Sequence, residues 1–200
     1  MVVPAASLRA ASLRAASLRA IGLLAVTVLV SACVAAPSGI TPVSGFELNR
    51  YLGKWYEIAR LDHSFERDLE AVTAEYSMRE DGGVRVINRG YSQQDQAWKQ
   101  AEGRAYFVDT PDTGHLKVSF FGPFYGAYVI FGLDHEQYRY SFISGPNRSF
   151  LWLLARTQSV PEQVITDFRQ QAASLGFDIG QLHMVRHELP ITAGSADDAQ

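Results

Sequence analysis

Cysteine is almost absent from this chain of 200 residues, whose only thiol is Cys33. An internal disulfide is therefore excluded. The sequence also lacks the Gly-x-Ser-x-Gly elbow, a phosphate-binding loop and a catalytic cysteine motif. The five histidines are scattered, and His183 and His187 would lie about 13 Å apart in a strand, which makes a poor chelate. We expect no enzymatic activity, no metal site and no cofactor.

An excess of positive charge and long hydrophobic runs are lacking as well. The formal net charge is −3, and no cluster of Lys and Arg is present to bind nucleic acid. The longest uncharged apolar run, Ile21 to Val30, is half the length of about 20 residues that a membrane-spanning helix requires. The chain is nevertheless 47% apolar and 12% aromatic, which suits one domain with a sizeable core.

The N-terminal segment has the organisation of a secretory signal peptide. Residues 5–20 repeat a short unit that carries arginine and no acidic residue. The apolar run follows, and then the small residues Ser31 and Ala32. A basic region, a short apolar region and small residues together predict a signal peptide over residues 1–32.

The residues around the single cysteine, "VSAC", resemble the lipobox of bacterial lipoproteins. The resemblance implies that Cys33 is the first mature residue, with diacylglycerol on its sulfur and an acyl chain such as palmitate on its amine. Because Val34 is not an aspartate, it also implies sorting to the outer membrane. A cleaved signal peptide with a chance cysteine nearby is the alternative. Residues 34–45 are rich in Pro, Gly, Ser and small residues, which predicts a flexible tether in the segment 33–45.

Strand patterns dominate the rest of the chain. About eight short segments rich in aromatic and β-branched residues are bounded by turn residues, with no helix between them, which is typical of an antiparallel barrel or sandwich. One amphipathic helix follows, with Val164, Ile165, Phe168 and Ala172 on one stripe and Gly176 at its C-terminal end. We predict a folded domain over residues 46–190 and a disordered tail over residues 191–200.

Three short motifs, in order, resemble the signature regions of the lipocalins. They are Gly53-x-Trp55 in the first strand, Asp134 with Tyr138 between two later strands, and Arg156 at the end of the eighth strand. The stretch from Phe46 to His187 is similar to bacterial lipocalins related to apolipoprotein D. The resemblance implies an all-β fold: an eight-stranded antiparallel up-and-down barrel with one C-terminal α-helix packed outside. Trp55 would plug its closed end, with Arg156 across the indole ring.

Strand parity and the family resemblance together indicate which residues face the barrel interior. Trp152 lies four residues before Arg156 in the same predicted strand, so both side chains should be on the same face of the sheet. Asn88 is the polar residue in an apolar strand, and aromatic residues surround the turn at residues 122–126. Glu57 would either point inward with a shifted pKa or be paired structurally. The predicted ligand-binding residues are Trp152, Tyr125, Tyr128 and Asn88.

An apolar cup with a few hydroxyl groups suits an amphiphile with one long chain. The resemblance implies storage or transport of fatty acids or lysophospholipids for envelope maintenance, by a protein anchored in the outer membrane with its barrel facing the periplasm. Exposed aromatic residues at the turn would contact a bilayer or form a homodimer. Two alternatives stay open: a carrier of another hydrophobic ligand such as haem, and a structural envelope lipoprotein whose barrel is occluded.

Overall fold

The computed structural model describes residues 34–189. The predicted signal peptide, the predicted acylation site Cys33 and the predicted C-terminal tail lie outside these residues. Within the described range, no helix combines the length and the apolar character that crossing a membrane requires.

Eight antiparallel strands close into a barrel, as predicted. Each strand pairs with the next along the chain, and the first strand pairs with both the second and the eighth. Alternating apolar residues and short turns explain this meander, because each strand buries one face in the barrel. The strands are β1 (Gly53–Leu61), β2 (Leu69–Met78), β3 (Val84–Ser92), β4 (Ala97–Phe107), β5 (His115–Ser119), β6 (Gly126–Leu133), β7 (Tyr140–Ser144) and β8 (Leu151–Ala155).

The two ends of the barrel differ. A short helix, α1 (Leu48–Tyr51), precedes β1 and packs with Trp55 at the end where β1 starts, which we call the closed end. Gly53 begins the strand with φ at +91°, a conformation that favours glycine. β1 runs from the closed end to the open end, or mouth. The loops that follow β1, β3, β5 and β7 therefore lie at the mouth, and those that follow β2, β4 and β6 lie at the closed end.

A second helix covers the outside of the barrel, as predicted. It is α2 (Glu162–Ser174), and its buried residues Val164, Phe168 and Ala172 pack with residues on the outer face of the sheet. Gly176 follows the helix with φ at +84°, which suits a C-terminal cap. A 3₁₀ turn (Ile179–Gln181) then leads into a short strand, β9 (Leu182–Met184).

The seam beside β1 is filled by two different strands. β2 pairs with β1 only over residues 53–56, and β9 pairs with β1 over residues 59–61. The chain after β9 stays in place because the Ala71 N–H donates to the Arg186 carbonyl at 2.8 Å. β1 also contains an irregularity between Glu57 and Ala59, where its register with β8 shifts.

The residues that precede α1 form a packed strap rather than the expected flexible tether. We call residues 34–46 the strap. Ile40 and Phe46 are buried against the barrel, and Val43 exchanges backbone hydrogen bonds with Gly114 and Ile130. Composition suggested a tether because Pro, Gly and Ser are abundant there. The prediction was wrong because a few apolar side chains and unpaired backbone groups are enough to bind the segment to the barrel wall.

Candidate functional site

The barrel encloses a cavity of about 250 Å³ that extends from the mouth towards the closed end. Most of its lining is apolar, from inward-facing positions on β3, β4 and β5. A cavity of this kind excludes water from any apolar ligand segment that enters it. Its apolar lining includes Val84, Val86, Ala105, Leu116, Val118 and Phe120.

Three of the four predicted ligand-binding residues line this cavity. Trp152, Tyr128 and Asn88 all face it. The Oδ1 atom of Asn88 is buried and accepts no hydrogen bond within the described part of the chain, so it is available to a ligand. Tyr125 is not part of the lining and instead packs outside, beside Tyr106. Tyr125 lies in the loop just before β6, where the strand alternation that turns Tyr128 inward does not apply, and its role as a ligand contact stays a prediction.

Deep in the barrel, three tyrosine hydroxyls form a chain. The Tyr128 hydroxyl lies 2.8 Å from that of Tyr51 and 2.9 Å from that of Tyr76. Tyr51 also donates to the Ser141 hydroxyl at 3.3 Å. Burial raises the pKa of Tyr51 to about 12, and burial also raises the pKa values of Tyr76 and Tyr128 well above their usual range. The three hydroxyls therefore remain neutral hydrogen-bonding groups.

Nearer the mouth, the cavity wall carries a buried charged cluster. The guanidinium of Arg60, which is 1% exposed, donates to the Glu57 carboxylate at 3.0 Å and to the Glu66 carbonyl at 2.9 Å. The Trp152 indole N–H donates to the Glu66 carboxylate at 3.0 Å. Both carboxyl groups line the cavity. Glu57 thus points inward and is paired structurally.

Two carboxyl groups share one guanidinium in this cluster. Burial and the nearby Glu66 carboxylate raise the pKa of Glu57 well above its usual value, although Arg60 opposes the shift. Burial also raises the pKa of Glu66, and its hydrogen bond from Trp152 opposes that shift. The wall of the cavity can therefore hold a proton as well as a hydrogen-bonding ligand group.

Sequence reasoning missed Arg60 and Glu66. The register shift after Glu57 turns Arg60 inward, whereas strict alternation along the strand would place Glu57 and Arg60 on opposite faces of the sheet. Glu66 comes from the loop between β1 and β2, where no periodic pattern is available. The only signal was the presence of charged residues in an otherwise apolar strand.

Aromatic residues surround the mouth. Phe65, Phe121 and Phe124 are 58%, 79% and 79% exposed. His63 stacks on Phe65 at 3.9 Å between ring centroids and lies 5.2 Å from the ring of Trp152. Burial, reinforced by the positive charge of Arg60, lowers the pKa of His63 to about 4, so this ring is neutral near pH 7.

The signature residues lie together at the closed end, apart from the cavity wall. The Arg156 guanidinium lies 3.9 Å from the centroid of the Trp55 ring and donates to the backbone carbonyls of Lys54 and Arg50. Trp55 is fully buried. The pair joins α1, β1 and the end of β8, so its role is structural.

The middle motif forms the turn between β6 and β7. The Tyr138 N–H donates to the Asp134 carbonyl at 2.7 Å, and the Asp134 carboxylate accepts from the backbone and side chain of Arg139. The Tyr138 hydroxyl accepts the Glu47 N–H at 2.9 Å, which ties the turn to the residue before α1.

Across residues 34–189, no group of three or more His, Cys, Asp and Glu side chains is placed to hold a metal ion. The polar groups around the cavity are hydroxyls, an amide, an indole and the charged cluster. The site as a whole is an apolar cup with a polar upper wall.

Comparison with known proteins agrees with this architecture. The lipocalin-like domain family matches residues 46–187. A Vibrio cholerae protein named Outer membrane lipoprotein Blc is 56% identical over 162 residues, covering 81% of this chain and 95% of the relative. The protein of the same name from Escherichia coli K12 is 49% identical, covering 79% and 90%. Mouse apolipoprotein D is 33% identical, covering 68% and 75%.

Solved structures show the same fold at low sequence identity. Insecticyanin from the tobacco hornworm Manduca sexta superposes with a TM-score of 0.60 at 19% identity, covering 76% of this chain and 87% of the other. Lobster apocrustacyanin A1 gives a TM-score of 0.57 at 16% identity, covering 78% and 94%. The family match over residues 46–187 and the relatives at 56% and 49% identity show that the chain belongs to the lipocalin family.

Proposed function

We propose that this protein is a membrane-anchored carrier that stores or transports single-chain amphiphiles, fatty acids or lysophospholipids, for maintenance of the cell envelope. The observation that carries the proposal is the cavity itself, which is apolar along β3 to β5 and polar near the mouth at Glu57, Glu66 and Trp152. An acyl tail would fill the apolar part. A head group would meet the polar wall or the solvent at the mouth.

The size of the cavity favours one chain. A volume of about 250 Å³ is small beside the roughly 300–1,000 Å³ of most ligand pockets. The tail of a single-chain amphiphile can therefore be enclosed only if its head remains at the mouth. A lipid with two long chains would need a wider interior than eight strands usually provide.

The N-terminal sequence and the relatives support the proposed location. Two relatives are named Outer membrane lipoprotein Blc, and their alignments cover 90–95% of their own length. Together with the lipobox-like residues before Cys33, this supports acylation of Cys33 and attachment to the outer membrane with the barrel in the periplasm. The exposed phenylalanines of the mouth are compatible with a homodimer.

The other two candidate functions receive less support. An occluded barrel would leave no room for a ligand, whereas this barrel contains a cavity. For haem, a histidine facing the cavity is needed. His63 is the buried histidine nearest Trp152, but it lies against Phe65 and is not part of the cavity lining. We infer a binding role rather than a catalytic one.

A titration tests the proposal. Residues 34–200, without the anchor, are titrated with palmitate and with a C16 lysophospholipid, and binding is followed by tryptophan fluorescence and calorimetry. We expect saturation at one ligand per barrel. Trp152→Ala should weaken binding by about tenfold or more, which corresponds to about 1.4 kcal/mol.

The chain offers a matched control for this experiment. Trp98 is 44% exposed and packs on Tyr91 away from the cavity lining, so Trp98→Ala should leave the affinity measured by calorimetry unchanged. Absence of binding of both ligands by a folded barrel would refute the proposal. Equal weakening by the two substitutions would refute the assignment of the ligand to the cavity.

A further inference from the structure

The strap, residues 34–46, directly follows the proposed acylated residue. We propose that the strap fixes the orientation of the barrel on its membrane, with the closed end beside the leaflet that holds the acyl chains of Cys33 and the mouth turned away from it. The inference rests on the proposed acylation of Cys33. It adds to that function the surface of the barrel that faces the lipid.

The first described residue of the chain is held at the closed end. The Nε2 atom of His115 donates to the Val34 carbonyl at 2.9 Å, and its Nδ1 atom lies 3.0 Å from an Asp109 carboxylate oxygen. The His115 side chain is only 6% exposed. His115 begins β5, and Asp109 belongs to the loop before it, which is a closed-end loop. The residue next to the anchor is therefore attached to the closed end by a buried side chain.

The remainder of the strap is attached along its length. The strap then extends towards the mouth, where Arg148, from the loop after β7, donates to the Ser38 carbonyl at 2.7 Å, and the Ile40 side chain is 4% exposed among the residues that α2 covers. The Val43 N–H donates to the Ile130 carbonyl and the Gly114 N–H donates to the Val43 carbonyl, both at 2.8 Å. These contacts hold the strap against the barrel at several points between Val34 and α1.

The distances decide which end of the barrel can reach the membrane. Consecutive Cα atoms are about 3.8 Å apart, so an anchor on the residue before Val34 would begin about 4 Å from the contact with His115 that holds Val34. The nine residues of β1 extend about 30 Å, or roughly 23 Å along the axis of a barrel with strands tilted by about 40°. This is the separation of the two ends along β1; along β5, which carries His115, the five residues place the mouth loop with Phe121 about 13 Å from the residue that holds Val34. A free segment of the same length would reach about 40 Å and would fix no orientation.

The orientation separates the two apolar features of the molecule. The acyl chains would enter the leaflet at the closed end, whereas Phe65, Phe121 and Phe124 would face the aqueous space at the mouth. Ligand exchange through the mouth would then occur away from the anchoring leaflet. The excess of acidic residues in the chain gives no electrostatic attraction that would pull another face onto anionic lipid.

Fluorescence quenching in vesicles tests this orientation. A single thiol is introduced either by Pro111→Cys at the closed end or by Phe121→Cys at the mouth. The full-length acylated protein is then reconstituted into vesicles of phosphatidylethanolamine and phosphatidylglycerol. Both positions are exposed, and an acylated Cys33 leaves the new thiol as the only reactive one. With an environment-sensitive label and spin-labelled lipid head groups, we expect quenching at position 111 to exceed quenching at position 121 severalfold.

A linker variant separates the strap from other causes of orientation. Insertion of 24 Gly and Ser residues between Cys33 and Val34 leaves the strap seated but gives the anchor a root-mean-square reach of about 27 Å. The difference between positions 111 and 121 should then disappear. Equal or stronger quenching at position 121 without the linker would overturn the proposal, as would a difference that persists with the linker.

Mass spectrometry and flotation with the vesicles precede the quenching measurement. A chain without acyl groups that does not float refutes the anchor, and with it the orientation. An acylated chain that floats and is quenched at the mouth refutes the orientation alone. The two failures are therefore distinguishable.

Discussion

Removing the Arg60 guanidinium should destabilise the barrel in a way that depends on pH. In Arg60→Met, a side chain that is 1% exposed loses its charge but keeps most of its apolar stem. The Glu57 carboxylate loses its partner at 3.0 Å, and the Glu66 and Leu69 carbonyls lose theirs at 2.9 and 3.2 Å. Two buried carboxyl groups then remain without the cation between them.

The magnitude follows from the burial of these groups. Removing one partner of a buried ion pair costs about 3–5 kcal/mol because the other charge is left uncompensated. We expect Arg60→Met to lower the free energy of unfolding by about 3–5 kcal/mol at pH 8. The double variant Arg60→Met/Glu57→Gln should recover part of this loss, since it also removes a stranded carboxylate.

The direction of the pH dependence can be derived from Glu57. Its folded pKa is raised above the unfolded value of 4.5, so its contribution to stability is complete below pH 4.5 and is lost as the pH rises through the folded pKa. Without Arg60 the folded pKa rises further and more stability is lost at high pH. The deficit of Arg60→Met relative to the unmodified chain should therefore be smaller at pH 5 than at pH 8.

Urea unfolding of residues 34–200 at both pH values, followed by tryptophan fluorescence, gives the two deficits. Equal urea dependence of the free energy in the variant and the parent would show that the same surface is exposed on unfolding. A deficit below about 1 kcal/mol at pH 8, or a larger deficit at pH 5, would refute the reasoning about the cluster.

Two further substitutions test the closed end and the hydroxyl chain. Gly53→Ala should lower the free energy of unfolding by about 1–2 kcal/mol because φ at this position is +91°. The midpoint of thermal unfolding should fall by about 3–6 °C, and an unchanged midpoint would contradict the expected backbone strain. Tyr128→Phe removes the hydroxyl between Tyr51 and Tyr76 and should cost about 1–3 kcal/mol in urea unfolding. Tyr125→Phe, outside the barrel, is the control. Equal losses of stability from the two tyrosine substitutions would contradict a stabilising role for the hydrogen-bonded tyrosine hydroxyls.

The barrel and its closed end could be predicted because their determinants are local. Alternating apolar residues between turn residues define each strand, and antiparallel neighbours need only short connections. Trp55 and Arg156 are far apart in sequence, but each sits at a fixed place in a strand. Once the strands close, the pair meets at 3.9 Å.

The polar wall of the cavity depends on features that alternation does not encode. The irregularity after Glu57 changes which face Arg60 occupies, and Glu66 arrives from a loop. Tyr125 lies in the loop just before β6, where parity is easily misjudged by one residue. The strap was missed for another reason: its low hydrophobicity conceals Ile40, whose burial depends on the surface offered by α2 and the barrel.

The two-strand seam beside β1 has a consequence for association between copies of the chain. Where β2 leaves β1, the backbone of Ala59, Arg60 and Leu61 is paired by β9, and the Val185 N–H donates to the Ile58 carbonyl at 3.0 Å. A chain that ended after α2 would present this stretch as an unprotected sheet edge. By covering this edge, β9 and Val185 should reduce strand exchange and aggregation between copies of the chain, and this effect does not depend on a ligand.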